Sequence, residues 1–149
     1  MNETEHRALW TRFAELLTSQ DFDRLDDVYA ADSVAEFPQS GERFRGIDKI
    51  RAQFRAYPAP EPMSTRVADV IGGTAYALTP MYTVIAVEGS GDRGTSIFQS
   101  RYPDGSLWWV INVYEVADGR VSRVRTFFAP VFEAPAWREP FWDKDKGGS

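Results

Sequence analysis

Glu36 has the chemistry of a proton shuttle. Set among Phe13, Phe37 and Trp108, its carboxylate would lose hydration, its pKa would rise, and it would take or give a proton near neutrality. An exposed strand glutamate is the simpler reading of the same residue. The two readings differ by one step of register, with either Glu36 or Phe37 turned inward. Asn112 and Tyr114 form a second constellation. From Leu107 onward, alternation puts Trp108, Val110, Asn112, Tyr114 and Val116 on one strand face and Leu107, Trp109, Ile111, Val113 and Glu115 on the other. Facing a cavity, the first set would orient a ligand through Asn112 and Tyr114 while Trp108 stacks on it. Thr126 and Phe128 would join them by the same alternation in the last strand. Facing a core, Asn112 would satisfy a buried backbone group and the aromatics would fill volume.

Other polar residues have plainer roles. Gln39 and Arg43 flank a turn and offer contacts to a polar substrate group or to solvent. Arg123 and Arg125 share a strand face, from which cross-strand pairing with Glu115 is expected. His6, the single histidine, precedes the first apolar stripe and is expected to fray with the terminus. With one histidine and no cysteine, a transition-metal site would rest on carboxylates, and no Asp/Glu cluster has suitable spacing. Neither a metal nor another cofactor is expected. Nucleophile-elbow, phosphate-loop and dinucleotide-binding glycine motifs are absent from the sequence.

The elements that must position these residues fall into two blocks. Leu9, Phe13, Leu16 and Leu17 lie on one stripe of a helix from about Thr4 to Thr18. Asp21 stands where an N-cap belongs, and Phe22, Leu25, Val28 and Tyr29 extend a second helix to about Ala31. A short strand follows over Ser33 to Pro38, then a turn at Gln39-Ser40-Gly41-Glu42. A third helix should begin near Gly46, turn Ile47, Ile50, Phe54 and Tyr57 inward, and stop at Pro58. Beyond Met63 the pattern is β. Strands are expected over Thr65–Ile71, Tyr82–Val87, Thr95–Tyr102, Ser106–Val116 and Arg120–Phe128, with Tyr76–Thr79 undecided. Pro103-Asp104-Gly105 and Asp118-Gly119 have the turn chemistry that joins the last three strands into a meander. The fold class is therefore α+β, with a long sheet curling around helices that precede it.

Composition narrows the function classes. A chain of 149 residues suits one domain with a core of its own. The 17 basic against 22 acidic residues give a charge of −5, which repels nucleic-acid phosphates. The run Leu107 to Ile111 is far too short to span a membrane, which takes about 20 residues, and no secretory signal is visible, so a cytoplasmic location is expected. The aromatic tail from Phe132 to Trp142 is expected to pack on the domain or on a partner.

Four segments together resemble the nuclear-transport-factor-2-like superfamily, in its SnoaL-like and ketosteroid-isomerase-like branch. They are Asp21 to Leu25 leading into Val28 to Val34, Phe44-Arg45-Gly46-Ile47, Val113 to Val121, and the closing Phe127-Phe128. The resemblance implies a cone-shaped, curved antiparallel or mixed sheet wrapped around three N-terminal helices, a cystatin-like α+β roll. It implies residues 1–142 as a single SnoaL-like domain including the aromatic segment, with 143–149 a solvated tail or an engineered remnant. It places the Asn112 face inside the cone and a homodimer interface on the outer sheet face. It does not decide the chemistry. Matched to ketosteroid isomerases, the catalytic base falls on Phe37, the tyrosine donor on Phe13 and the protonated aspartate on Asn112, and a one-residue gap would bring Glu36 to the base position. The final-strand aspartate of limonene epoxide hydrolase matches Thr126, and Val124 to Phe128 offers no acid of the kind SnoaL-like cyclases use.

The expectation is thus a pocket protein for an apolar, polyketide- or terpenoid-like small molecule. Phe13, Phe37, Trp108, Asn112, Tyr114, Thr126 and Phe128 would bind it. The alternatives are a cofactor-independent isomerase, cyclase, lyase or hydrolase using Glu36, and a non-catalytic protein-interaction module.

Overall fold

The computed structural model describes residues 1–56, 76–77, 82–101 and 107–143. Helix α1 (Glu3–Ser19) opens with a reciprocal cap, in which Asn2 Oδ1 accepts from the Glu5 amide at 2.9 Å and Glu5 Oε2 accepts from the Asn2 amide at 2.7 Å. Leu9, Phe13 and Leu16 are buried along its inner stripe, as the spacing predicts, with Leu17 half-buried beside them and Trp10 and Ala14 buried in addition. A 3-10 helix (Phe22–Asp27) follows, then strands β1 (Tyr29–Phe37) and β2 (Glu42–Arg45) and helix α2 (Ile47–Arg55). Strands β3 (Tyr76–Ala77), β4 (Tyr82–Ser90), β5 (Arg93–Arg101), β6 (Leu107–Ala117) and β7 (Arg120–Pro130) complete the sheet, and a second 3-10 helix spans Ala136–Phe141.

The fold is α+β. Among the described residues seven strands run in the order β2-β1-β7-β6-β5-β4-β3, and every neighbouring pair is antiparallel except β1 with β7. The result is a curved, unclosed mixed sheet with the N-terminal helices inside its bend. The β6–β7 hairpin turns on Asp118 and Gly119, at φ 51° and 77°, the left-handed pair that a two-residue turn between twisted strands demands.

Two elements differ from the sequence-based expectation. The second helix ends at Asp27 rather than near Ala31, because Val28 and Tyr29 are drawn into the sheet: the Val121 amide donates to the Val28 carbonyl at 2.8 Å, and Tyr29 pairs with Val121. Leu25, Val28 and Tyr29 are all buried, as a helical stripe would have them, but the corner between a 3-10 turn and a strand buries the same three. Glu42–Arg45, of which the sequence reading assigns only Glu42, to a turn, is an edge strand paired with Val34–Phe37. The third helix runs to Arg55; Tyr57 and Pro58, the strand expected at Thr65–Ile71 and the turn at Pro103-Asp104-Gly105 lie outside the described residues.

The core is aromatic. Trp10 meets Phe13 edge-on at 5.0 Å, Phe98 at 6.0 Å and Tyr114 at 4.9 Å between ring centroids, which fastens α1 to the concave face. His6 is buried in the same layer, not frayed. Its Nε2 lies 3.1 Å from the Gly91 carbonyl oxygen and its Nδ1 2.9 Å from the Tyr114 hydroxyl. A carbonyl can only accept, so Nε2 carries a proton and donates to it.

Candidate functional site

Between the helices and the concave face of the sheet lies a cavity of about 270 Å³. Alternation builds its wall: Ala35 and Phe37 from β1, Phe98 and Ser100 from β5, Val110 and Asn112 from β6, and Val124, Thr126 and Phe128 from β7 all project to one side. Helix α1 closes it with Phe13, Ala14 and Leu17 on one helical stripe and with its C-cap Gln20, and α2 adds Ile50, Gln53, Phe54 and Arg55. Phe22 and Tyr29 fill the corner between these elements. Phe13 packs edge-on against Tyr29, Phe54 and Phe98 at 6.0 to 6.1 Å, so three elements are pinned through one ring.

The polar part of the wall is a cross-strand chain. Ser96, Asn112 and Thr126 are direct partners on β5, β6 and β7. Asn112 Nδ2 donates to Ser96 Oγ at 3.1 Å, and Thr126 Oγ1 donates to Asn112 Oδ1 at 2.8 Å. All three are buried, which makes their mutual bonding obligatory. Among the described residues lining the cavity there is no carboxylate and no imidazole; the titratable groups are Arg55, ion-paired with Asp23, and Tyr29, whose hydroxyl burial holds in its neutral form by raising its pKa.

Of the residues singled out from the sequence, Phe13, Phe37, Asn112, Thr126 and Phe128 line this cavity. Three do not. Glu36 sits between the inward Ala35 and Phe37 and therefore faces the other side of β1. There Arg123 donates to Oε1 from Nε at 3.0 Å and from Nη2 at 2.6 Å, and Arg43 approaches Oε2 at 3.8 Å. The Arg123 hydrogen bonds hold its carboxyl below the usual range, opposite to the raised value a pocket base would need. Tyr114 shares the Asn112 face but is four residues closer to the strand end than Val110, where α1 lies over it. Its hydroxyl is spent on His6, and burial pushes its pKa up. Trp108, at the other end of the same face, lies in a separate shallow depression with Phe37, Gln39 and Phe128.

Gln39 and Arg43 contact protein rather than open space. The Gln39 amide clasps the β7 backbone, accepting from the Phe128 amide at 2.6 Å and donating to its carbonyl at 2.8 Å, while Arg43 joins Glu36. Arg123 stands opposite Glu115 in register but bonds Glu36. Leu17, Gln20, Tyr29, Gln53, Phe54 and Ser100 belong to the cavity and were not foreseen as site residues. Alternation with Phe98 would have found Ser100, and Leu17 lies on the stripe of Phe13. No sequence signal marked Gln53. Among the described residues no group of three or more His, Cys, Asp or Glu could hold a metal, and no helix is long and apolar enough to cross a membrane.

Residues 10–124 match the family model described as the SnoaL-like domain. No curated protein matches the chain. Among solved structures, it is similar to a nuclear-transport-factor-2-like protein of unknown function from Burkholderia xenovorans LB400, at 23% identity and a TM-score of 0.74 over 97% of this chain and 98% of that one. It is also similar to a protein from Kribbella flavida DSM 17836 provisionally named a ketosteroid isomerase, at 22% identity and a TM-score of 0.71 over 95% and 90% of the two chains. A third similar structure is an LEH-like epoxide hydrolase from M. tuberculosis, at 21% identity and a TM-score of 0.58 over 85% and 84%. At these identities the likeness is one of fold.

Proposed function

Because the chain belongs to the SnoaL-like domain family, we propose that it binds a small, largely apolar molecule of polyketide- or terpenoid-like character in the cavity beneath α1. The observation that carries this reading is the cavity wall itself: aromatic rings from several elements surround a neutral polar chain of Ser96, Asn112 and Thr126. Such a wall rewards apolar area and fixes orientation through few polar contacts. Proton-transfer chemistry through Glu36 has no support in this geometry, since the carboxylate lies outside the cavity under Arg123. Isomerase, cyclase or hydrolase activity would have to be carried by other groups.

Native mass spectrometry of freshly purified protein, followed by denaturation and identification of released small molecules, tests the reading. The expected result is a retained apolar molecule of a few hundred daltons that Asn112→Leu releases. Protein that emerges empty and binds no neutral aromatic or terpenoid probe by calorimetry would overturn it.

A second reading concerns partners. The face opposite the cavity carries Ile97, Ile111 and Phe127 in direct register, with Val113 44% exposed beside them. The C-terminal segment beyond β7 leaves Phe132, Trp137 and Phe141 at 73%, 71% and 82% exposure. Both features support a homodimer in which each chain's aromatic segment lies on the other copy.

A further inference from the structure

We propose that the molecule held in the cavity carries a hydroxyl group, and that this hydroxyl seats on Asn112 and Thr126. The inference rests on the cavity being a ligand site and specifies the chemistry of what enters. It follows from counting hydrogens along the cross-strand chain. The Asn112 amide has two N–H donors, and one is spent on Ser96 Oγ at 3.1 Å. Thr126 has a single hydroxyl hydrogen, and it is spent on Asn112 Oδ1 at 2.8 Å. What Asn112 and Thr126 still present is one N–H donor beside one oxygen that can only accept. Both line the cavity, whereas Ser96, on the same sheet face, is not among its lining residues. This pairing belongs to the orientation in which Asn112 Oδ1 faces Thr126; with the amide turned over, Nδ2 would donate to Thr126 Oγ1 and the Thr126 hydroxyl hydrogen would be released as a second donor.

A hydroxyl group is the small function that uses both: it accepts from the Asn112 N–H and donates to Thr126 Oγ1. A ketone or ether engages the donor alone, and a hydrocarbon engages neither. An anion is poorly served, because a carboxylate there would face the Thr126 lone pairs in a buried setting with no cation. Arg55, the one cationic residue among the described lining residues, is already paired with Asp23. Phe13 meets both Phe54 and Phe98 edge-on, and these rings suit a flat apolar body attached to the hydroxyl.

Matched naphthalene probes test this by calorimetry: 2-naphthol, 2-methoxynaphthalene and 2-methylnaphthalene, each against the wild-type chain and Thr126→Val. The near-isosteric valine suits a strand and removes only the hydroxyl. Naphthol is expected to bind roughly two- to tenfold more tightly than the methoxy compound. Thr126→Val should erase that advantage, bringing the ratio of naphthol to methoxynaphthalene affinity to about one. Equal affinity of the wild-type chain for all three probes overturns the hydroxyl assignment and leaves the pocket reading standing. A naphthol preference that survives in Thr126→Val overturns it too. Failure of every probe to bind the folded wild-type chain overturns the pocket reading and the assignment with it.

Discussion

At the scale of single residues, Glu36 and Tyr114 show how chemistry is set by the direction a side chain takes. Glu36 is a stabilising ion-pair member, so Glu36→Gln is expected to leave ligand affinity unchanged and to cost about 1 kcal/mol of stability at pH 7, read from urea denaturation. The pH dependence has a definite sign. The folded-state carboxyl lies below its ordinary value, so its contribution is complete above the ordinary carboxylate range and is lost as pH falls through the folded-state value. Wild type and Glu36→Gln should therefore converge in acid, and a gap that widens there would contradict the pairing. Tyr114→Phe makes the complementary case. It leaves His6 Nδ1 buried without its 2.9 Å partner and should cost about 1–3 kcal/mol while naphthol binding is unchanged. Lost binding without lost stability would place the hydroxyl in the cavity after all.

At the scale of elements, two glycines in extended backbone allow close approach, Gly89 that of α1 to the β4–β5 hairpin and Gly94 that of the Tyr114 side chain of β6. A Cβ on Gly89 would meet the His6 ring at 2.7 to 2.9 Å, and one on Gly94 would meet Tyr114 Cζ at 2.6 Å and the Glu88 carbonyl oxygen at 2.7 Å. Gly94→Ala should lower stability by about 1–3 kcal/mol through overpacking, measured as a drop in Tm, and more than Ala at Gly91, where a Cβ meets open space but φ is 63°. The same close approach explains what sequence reading missed. Helix α1, the last three strands and the Asp118-Gly119 turn were legible because their period and turn chemistry are local. The fate of His6 was not, since its partners Gly91 and Tyr114 are distant in the chain and become visible only once the sheet folds over α1. Val28 and Tyr29 misled for a related reason: a helical stripe and a 3-10-to-strand corner bury the same positions, and the deciding bond comes from Val121. In the site, alternation correctly grouped Asn112 with Thr126 and Phe128. It said nothing of where along the face the cavity ends, so Tyr114 and Trp108 fell beyond it at opposite ends.

At the scale of the whole molecule, the balance of apolar surface points outward as well as inward. Phe132, Trp137, Phe141 and Trp142 remain 41% to 82% exposed, Trp137 and Phe141 within the 3-10 helix and the other two on the chain flanking it. Aromatic side chains bury about 150–250 Å² each, so the area these four leave open is on the order of 500 Å² per chain. Two such segments laid on two partner surfaces remove roughly 2,000 Å² in all, the size of a stable specific interface. The outer sheet face offers Ile97, Ile111, Phe127 and Val113 as the receiving surface, and a two-fold axis satisfies both arms at once without leaving an open end. Light scattering on the wild-type chain is expected to give a dimer, and ending the chain after Pro130 should give a monomer. The last cavity-lining residue is Phe128, so the shortened chain should still bind 2-naphthol. Trp137→Ala, which leaves the fold's core untouched, should weaken association at least about tenfold. A wild-type chain that runs as a monomer at micromolar concentration, or a dimer that survives removal of residues 131–149, would show that the exposed aromatics serve something other than a second copy.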